Sequence, residues 1–450
     1  MNIMRTKLLC MLLTLCVLLT SCDSASSDSG ATTTNPNPDP NGEKTIVIAV
    51  PSADGYLKQV AAQFEDLHPN IHFEIQEFIP LPKPESSDVV ISMSGLGMEK
   101  YVQSVTTQVI AGKGADLIFM NNLPQDKFVE KNLLVNLYDL MEKDKSIDKS
   151  KYYNNILQAS QQGDGLYAIP LSFSVGMVAG NTNLMEQANI KLDQDKPWTW
   201  GQFKDIGKQI KEQGDSLGFT NFPPELLLND YLEESYPQLV QGGKANFDSD
   251  MFRSMMQEIK SMYDDGILSS EFTQDYDKGV FSLQDISSAQ QVLMTPMKSK
   301  YYNKPTVNDT LQGLPFKVYN SLGINSSSKV QLEAWEFIKY LLSDEVQTMP
   351  DFAGLPVNKQ AADKLFDDAL HQLANGMLDS SSELLPDTET AKQRIEDVKK
   401  FMEQAGARNY VDNKVYMIVR EEFATFMNGQ KSAKDVSKLI QNRVTTYLNE

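Results

Sequence analysis

The chain has 450 residues, with 41 Lys and Arg against 60 Asp and Glu and a formal net charge of −19. Nucleic-acid binders concentrate positive charge, so this balance argues against such a partner. One hydrophobic core stops growing beyond about 250–300 residues, so a chain of this length is expected to form two lobes.

Residues 1–21 read as a targeting segment, with Arg5 and Lys7 as a basic start and an apolar core too short to span a bilayer. It ends in Leu19-Thr20-Ser21-Cys22, which resembles the bacterial lipobox, in which Cys22 would be acylated and become the first residue. Loss of the segment also removes Cys10 and Cys16, which leaves no partner for a disulfide or a thiolate metal site. Residues 22–43 are rich in Ser, Asp, Thr, Asn and Pro and read as a disordered tether.

The folded part is expected to open with a buried parallel strand over 45–50 and an amphipathic helix over 56–67, with Leu57, Val60, Ala61 and Phe64 at helical spacing. A strand at 71–75, a helix at 98–110 and a strand at 116–120 continue the alternation. This β-α-β-α-β order implies a parallel sheet with right-handed crossovers. The stretch 78–97, with Pro80, Pro82 and Pro84, has no function assigned to it. Residues 166–171 read as a strand broken by Pro170, and 173–178 as an extended crossing between lobes. A short helix at 183–187 is followed by a longer one that Thr199 caps, with Trp200, Phe203, Ile206 and Ile210 on its buried side. Further on, 251–263 is expected to be helical, 291–297 a strand, 318–324 a strand and 329–342 a helix.

From Gly163 to Phe203 the order G-x-Y-x-I-P, then Asn181, then N-L-x-x-x-x-N-I and P-x-T-W-x-x-F resembles the extracellular solute-binding proteins of ABC importers, most of all the large family with many sugar binders. Ala334-Trp335-Glu336-Phe337-Ile338, Gly354-Leu355-Pro356-Val357-Asn358 and the pattern at Glu422, Gly429, Ser432 and Ala433 extend the resemblance over nearly the whole mature chain. Two positions depart from it: Gly180 stands where the family has Tyr, and Asn189 where it has Gly, although Asn tolerates the left-handed conformation. The resemblance implies an α/β, two-lobed periplasmic-binding-protein-like fold with lobes joined by crossing hinge strands. The expected lobes are 44–173 with 310–345, and 174–309 with 346–450.

Chemistry finds little support. His68 and His72 have a zinc-like spacing, but Pro69 separates them and a strand begins at the second. Gly112-Lys113-Gly114 lies between a helix and a strand, the reverse of a dinucleotide loop, and Gly95-Leu96-Gly97 has Lys100 where a third glycine belongs. No enzyme, cofactor or metal is expected. Binding has a mechanism in this fold, because ligands lie outside the carboxyl ends of strands and touch both lobes. The candidate contacts are Asp54, Tyr56, Asn121, Asn122, Phe173 and Ser174 from the first lobe and crossing, and Asp230, Tyr231, Tyr236, Tyr301 and Tyr302 from the second. The resemblance singles out Ser174, whose position contacts ligand in relatives. Relatives often place a Trp beyond residue 297; here stacking is assigned to Tyr301, Tyr302, Tyr231 and Phe173. The expected function is a lipid-anchored monomeric receptor on the extracytoplasmic face of the cell membrane. It would deliver a small solute, an oligosaccharide, to ABC permease subunits. The alternative is a surface sensor or adhesion component with the same fold.

Overall fold

The computed structural model describes residues 42–79, 96–214, 216–271, 278–295, 298–307, 313–378 and 385–449. The targeting segment, Cys22, almost all of the tether, the prolines at 80, 82 and 84, and Gly95 lie outside the described residues. No helix among the described residues is long and apolar enough to cross a membrane.

The first layer forms as the alternation predicts. Strands β1 (Lys44–Val50), β2 (Ile71–Glu77) and β3 (Leu117–Phe119) pair in parallel, with Ile48 opposite both Ile75 and Leu117. Ile46, Ile48 and Val50 enter one core and Ala49 another, as the two-residue period of a strand requires. Leu57, Val60 and Phe64 of the Gly55–Leu67 helix cover the first face, with Phe337 and Ile338 of the Gln331–Leu341 helix. Tyr101, Val105 and Val109 of the Leu96–Ile110 helix and Phe128 belong to the other core.

The long strand β4 (Ile169–Asn181) carries the chain out of this layer. Pro170 sits at its start, where a missing N–H is tolerated, and the register slips between Pro170 and Ser172. The strand therefore begins three residues later than the expected 166 and does not end at the proline. Two two-residue strands, β5 (Val240–Gln241) and β6 (Lys244–Ala245), form a separate hairpin. Strands β7 (Phe281–Ile286), β8 (Ser299–Asn303) and β9 (Leu314–Ile324) all run antiparallel to β4. Strand β9 pairs with one edge of β4 up to Val175 and β8 continues that edge from Met177, while β7 pairs with the other edge from Val175 onward. Strands β10 (Leu355–Pro356) and β11 (Ala405–Arg408) complete a nine-stranded sheet that runs through both halves.

Along β4, Phe173, Val175, Met177 and Ala179 belong to the first core. The alternate residues are Ser172, Ser174, Gly176, Val178 and Gly180, of which Val178 enters a second core. That core stacks Phe203 on Phe219 and Phe219 on Phe222, each pair with ring centroids 5.0 Å apart. Gly180 is small because Tyr302 crosses it: a Cβ there would lie 2.9 Å from the Tyr302 ring. Asn189 takes φ 51°, the left-handed conformation anticipated for it.

Two expectations need correction. Of the strand expected at 291–297, the described residues 291–295 do not form one; Ala289–Leu293 is a helix, because Ser288 and Gln291 cap it reciprocally. The strand is β8, so Tyr301 and Tyr302 lie within it rather than beyond it. The segment 346–450 also does not pack as one piece. The Lys359–Ala374 and Thr388–Gln404 helices give Phe366, Val398 and Met402 to the first core, whereas Asn413–Met427 and Ala433–Leu448 give Val419, Phe423 and Ile440 to the second.

Candidate functional site

Small residues on the outer face of β4 leave room for a recess where the chain crosses. Strand register sets Ser174 beside Lys317 of β9 and Gly176 beside Asp285 of β7. The stem of Lys304, just past β8, lies over Gly176, where a Cβ would be 3.3 Å from its Cδ. The Pro224–Leu239 helix closes the recess with Leu226, Asn229 and Asp230, and Asn409 joins from the other half. The enclosed volume is about 190 Å³.

This helix reads Asp230-x-x-Glu233-Glu234, a spacing that puts three carboxylates on one face. The buried Lys304 Nζ lies 2.5 Å from Asp230 Oδ1, with both side chains 4 % exposed. Lys317 Nζ lies 3.2 Å from Glu233 Oε1, and Asn409 Nδ2 donates to Glu233 Oε2 at 3.0 Å. Val307 N–H donates to Glu234 Oε2 at 2.6 Å. Asp230 Oδ2, in the lining, has no hydrogen-bond partner, nor do the buried Glu234 Oε1, Asn303 Oδ1 and Ser174 Oγ on the elements around it. Such atoms cost free energy unless something meets them. Burial pushes the Glu234 carboxyl up to about 7, against the donation from Val307 and the charge of Lys304. Burial works against the charge of Lys317, but Glu233, Asp230 and Asp285 outweigh it and hold the ammonium above its usual range.

A second, larger recess of about 500 Å³ lies further along the same helix, at Tyr236, about 9 Å from Asp230 along the axis. Pro124, Asp126 and Lys127 line one side, and Tyr236, Tyr410 and Asp412 the other. The Tyr236 and Tyr410 rings meet edge to face at 5.6 Å, and Arg408 stands 5.6 Å from the Tyr410 centroid. Aromatic faces beside charged groups suit a ligand with both apolar and hydroxyl-bearing surfaces.

The anticipated contacts separate into three groups. Ser174, Asp230 and Tyr236 face or adjoin these recesses. Phe173, Tyr231, Tyr301 and Tyr302 are core residues, which corrects their assignment as a stacking platform. Phe173 packs against Tyr153 and Phe316, and Tyr231 stacks on Trp200. The Tyr301 hydroxyl is hydrogen-bonded to Thr295 Oγ1 at 2.5 Å, and Tyr302 belongs to the second core. The remaining residues shape the first half. Asp54 caps the Gly55–Leu67 helix, and Tyr56 meets Phe352 edge to face at 5.9 Å. Asn121 braces β9 by donating to the Tyr319 carbonyl at 2.7 Å and accepting from Ser321 N–H at 2.9 Å. Asn122 turns the chain at φ 69°. Lys304, Lys317, Glu233, Glu234, Asn409 and Tyr410 were not anticipated, although the carboxylate spacing and a lysine inside the 314–324 strand were visible signals.

The profile described as bacterial extracellular solute-binding protein matches residues 50–348. The fold is similar to that of the sugar-binding protein MalE from Xanthomonas citri, at TM-score 0.60 and 17 % identity over 90 % of this chain and 97 % of that one. It is also similar to a periplasmic oligogalacturonide-binding protein from Yersinia enterocolitica, at TM-score 0.58 and 16 % identity over 90 % and 99 %. An ABC substrate-binding protein from Listeria monocytogenes in complex with cycloalternan superposes at TM-score 0.56 and 16 % identity, again over 90 % and 99 %. The architecture is the two-lobed α/β fold of periplasmic binding proteins, in a family that binds solutes rather than transforming them. With a profile match across well over half of its length, this chain belongs to the bacterial extracellular solute-binding proteins.

Proposed function

We propose that the chain is a lipid-anchored extracellular receptor that captures an oligosaccharide between its lobes and delivers it to an ABC permease. One observation carries this reading. The recess at the crossing is built from both halves of the chain and holds the buried Asp230 Oδ2 with no partner, which a ligand hydroxyl satisfies. The Tyr236–Tyr410 pair adds an aromatic wall further along the same helix, suited to the C–H face of a pyranose. A ligand that touches both lobes favours the closed form by its differential affinity, with β4 and β9 as the crossing strands.

The test is a thermal-shift screen of neutral and charged mono- and oligosaccharides against the full chain. A ligand at a hundred times its dissociation constant stabilises the native state by about 2.7 kcal/mol, so a true ligand raises the melting temperature clearly. Tyr410→Ala is expected to weaken the best hit about threefold to tenfold, the cost of one aromatic contact. A complete set of saccharides with no effect on the melting temperature rejects the reading.

A further inference from the structure

The crossing recess has an imbalance that a neutral sugar leaves uncorrected. Asp230 lines it from one helix and Asp285 stands at its rim, with Glu233 and Glu234 beside Asp230 on the same helical face, against Lys304 and Lys317. Both lysines are already engaged, Lys304 with Asp230 and Lys317 with Glu233. The nearby amides are spent as well, Asn409 on Glu233 and Val307 on Glu234. Asp230 Oδ2 and Asn303 Oδ1, both acceptors, remain without partners, and the other two such atoms, Glu234 Oε1 and Ser174 Oγ, can donate or accept.

A group that completes this site must therefore bring donors, and it gains further if it brings positive charge. An uronate brings acceptors and a like charge; a hydroxyl brings one donor and no charge. An ammonium brings three donors and the missing charge. We infer that the solute enters the crossing recess with a protonated amine, so that the receptor takes amine-bearing saccharides in preference to neutral or acidic ones. This inference rests on the oligosaccharide reading for the rest of the ligand. The elevated Glu234 carboxyl agrees with it: a cation beside Glu234 favours its ionised form, so amine binding releases a proton near neutral pH.

The experiment titrates the full chain by calorimetry, at about pH 6, with five probes: the glucosamine trimer, its fully N-acetylated form, maltotriose, trigalacturonate and spermidine. The glucosamine trimer is expected to bind about tenfold or more tighter than its acetylated form, with trigalacturonate weakest. Asp230→Asn is expected to shrink that ratio to about threefold or less. Because Asp230 is buried against Lys304 and its variant can fail to fold, Asp285→Asn at the exposed rim is measured too, and it should lower the ratio by a smaller factor. Equal or tighter binding of the acetylated, neutral or acidic trimer overturns the amine preference and leaves the oligosaccharide reading standing. Binding of spermidine with no response to any saccharide keeps the amine site and overturns the saccharide reading. No binding in any arm overturns the inference.

Discussion

Phe173 and Ser174 are neighbours in sequence and opposites in the fold. Phe173 is fully buried against Tyr153 and Phe316, so Phe173→Ala should cost about 3–5 kcal/mol of stability in denaturant melts. Ser174 adjoins the recess through its strand partner Lys317 and has an unpartnered hydroxyl, so Ser174→Ala should change stability by less than about 1 kcal/mol while weakening ligand binding. Equal stability losses in the two variants would show that the faces of β4 have been assigned wrongly. Glu234 supplies a pH test. Its carboxyl titrates at about 7 in the folded chain against an ordinary value of 4.5, so between those values the folded state holds more protons than the unfolded one. Stability contributed by the protonated carboxyl is thus lost as pH rises through that window, by a total on the order of 3 kcal/mol. Glu234→Gln should match the parent near pH 4 and be more stable at pH 8; a difference independent of pH rejects the assignment.

At the scale of elements, local signals decided most outcomes. The Trp200–Gln213 helix begins at Thr199 because Thr199 and Gln202 cap each other, and the aromatic run behind it fills the second core. The same device at Ser288 and Gln291 governs the Ala289–Leu293 helix, where a short apolar run suits a strand equally well on periodicity alone. Ser288→Ala should lower stability by about 1 kcal/mol, and Gln291→Ala should reproduce part of that loss. If neither variant moves the unfolding midpoint, the reciprocal cap does not hold this helix. The helix matters to the site because Tyr301, packed beneath it through Thr295, is thereby turned into the core instead of the cleft.

The whole molecule hangs two cores on one sheet. Lys414 and Glu99 pair at 2.9 Å, and Lys127, which lines the larger recess, stands 5.1 Å from the Tyr447 ring, so helices of the two halves touch. The ion pair is exposed and contributes about 0–1 kcal/mol, and the half-buried cation–π contact about 0.5–2 kcal/mol, which leaves closure to be driven by ligand. X-ray scattering should show the radius of gyration falling when a ligand saturates the chain, and an unchanged value rejects closure between lobes. For the proposed anchor, Cys22→Ser should release the protein from the membrane fraction with its melting temperature unaltered. Retention of that variant in the membrane fraction overturns the lipid attachment.

The sequence by itself determined the class of fold, the parallel first layer and the crossing, because these depend on periodicities and caps written in adjacent residues. It also carried the family motifs, and the spacing of Asp230, Glu233 and Glu234 that sets three carboxylates on one helical face. Which aromatic residues meet solvent was decided only by tertiary structure. Tyr231, Tyr236, Tyr301 and Tyr302 look alike along the chain, yet three are wholly core and one lines the larger recess. The physical reason is that a strand or helix assigns a side chain to a face, while the neighbour on that face comes from distant sequence. Lys304 finds Asp230, Lys317 finds Glu233 and Tyr236 finds Tyr410 only when β4 and β9 have brought the two halves together.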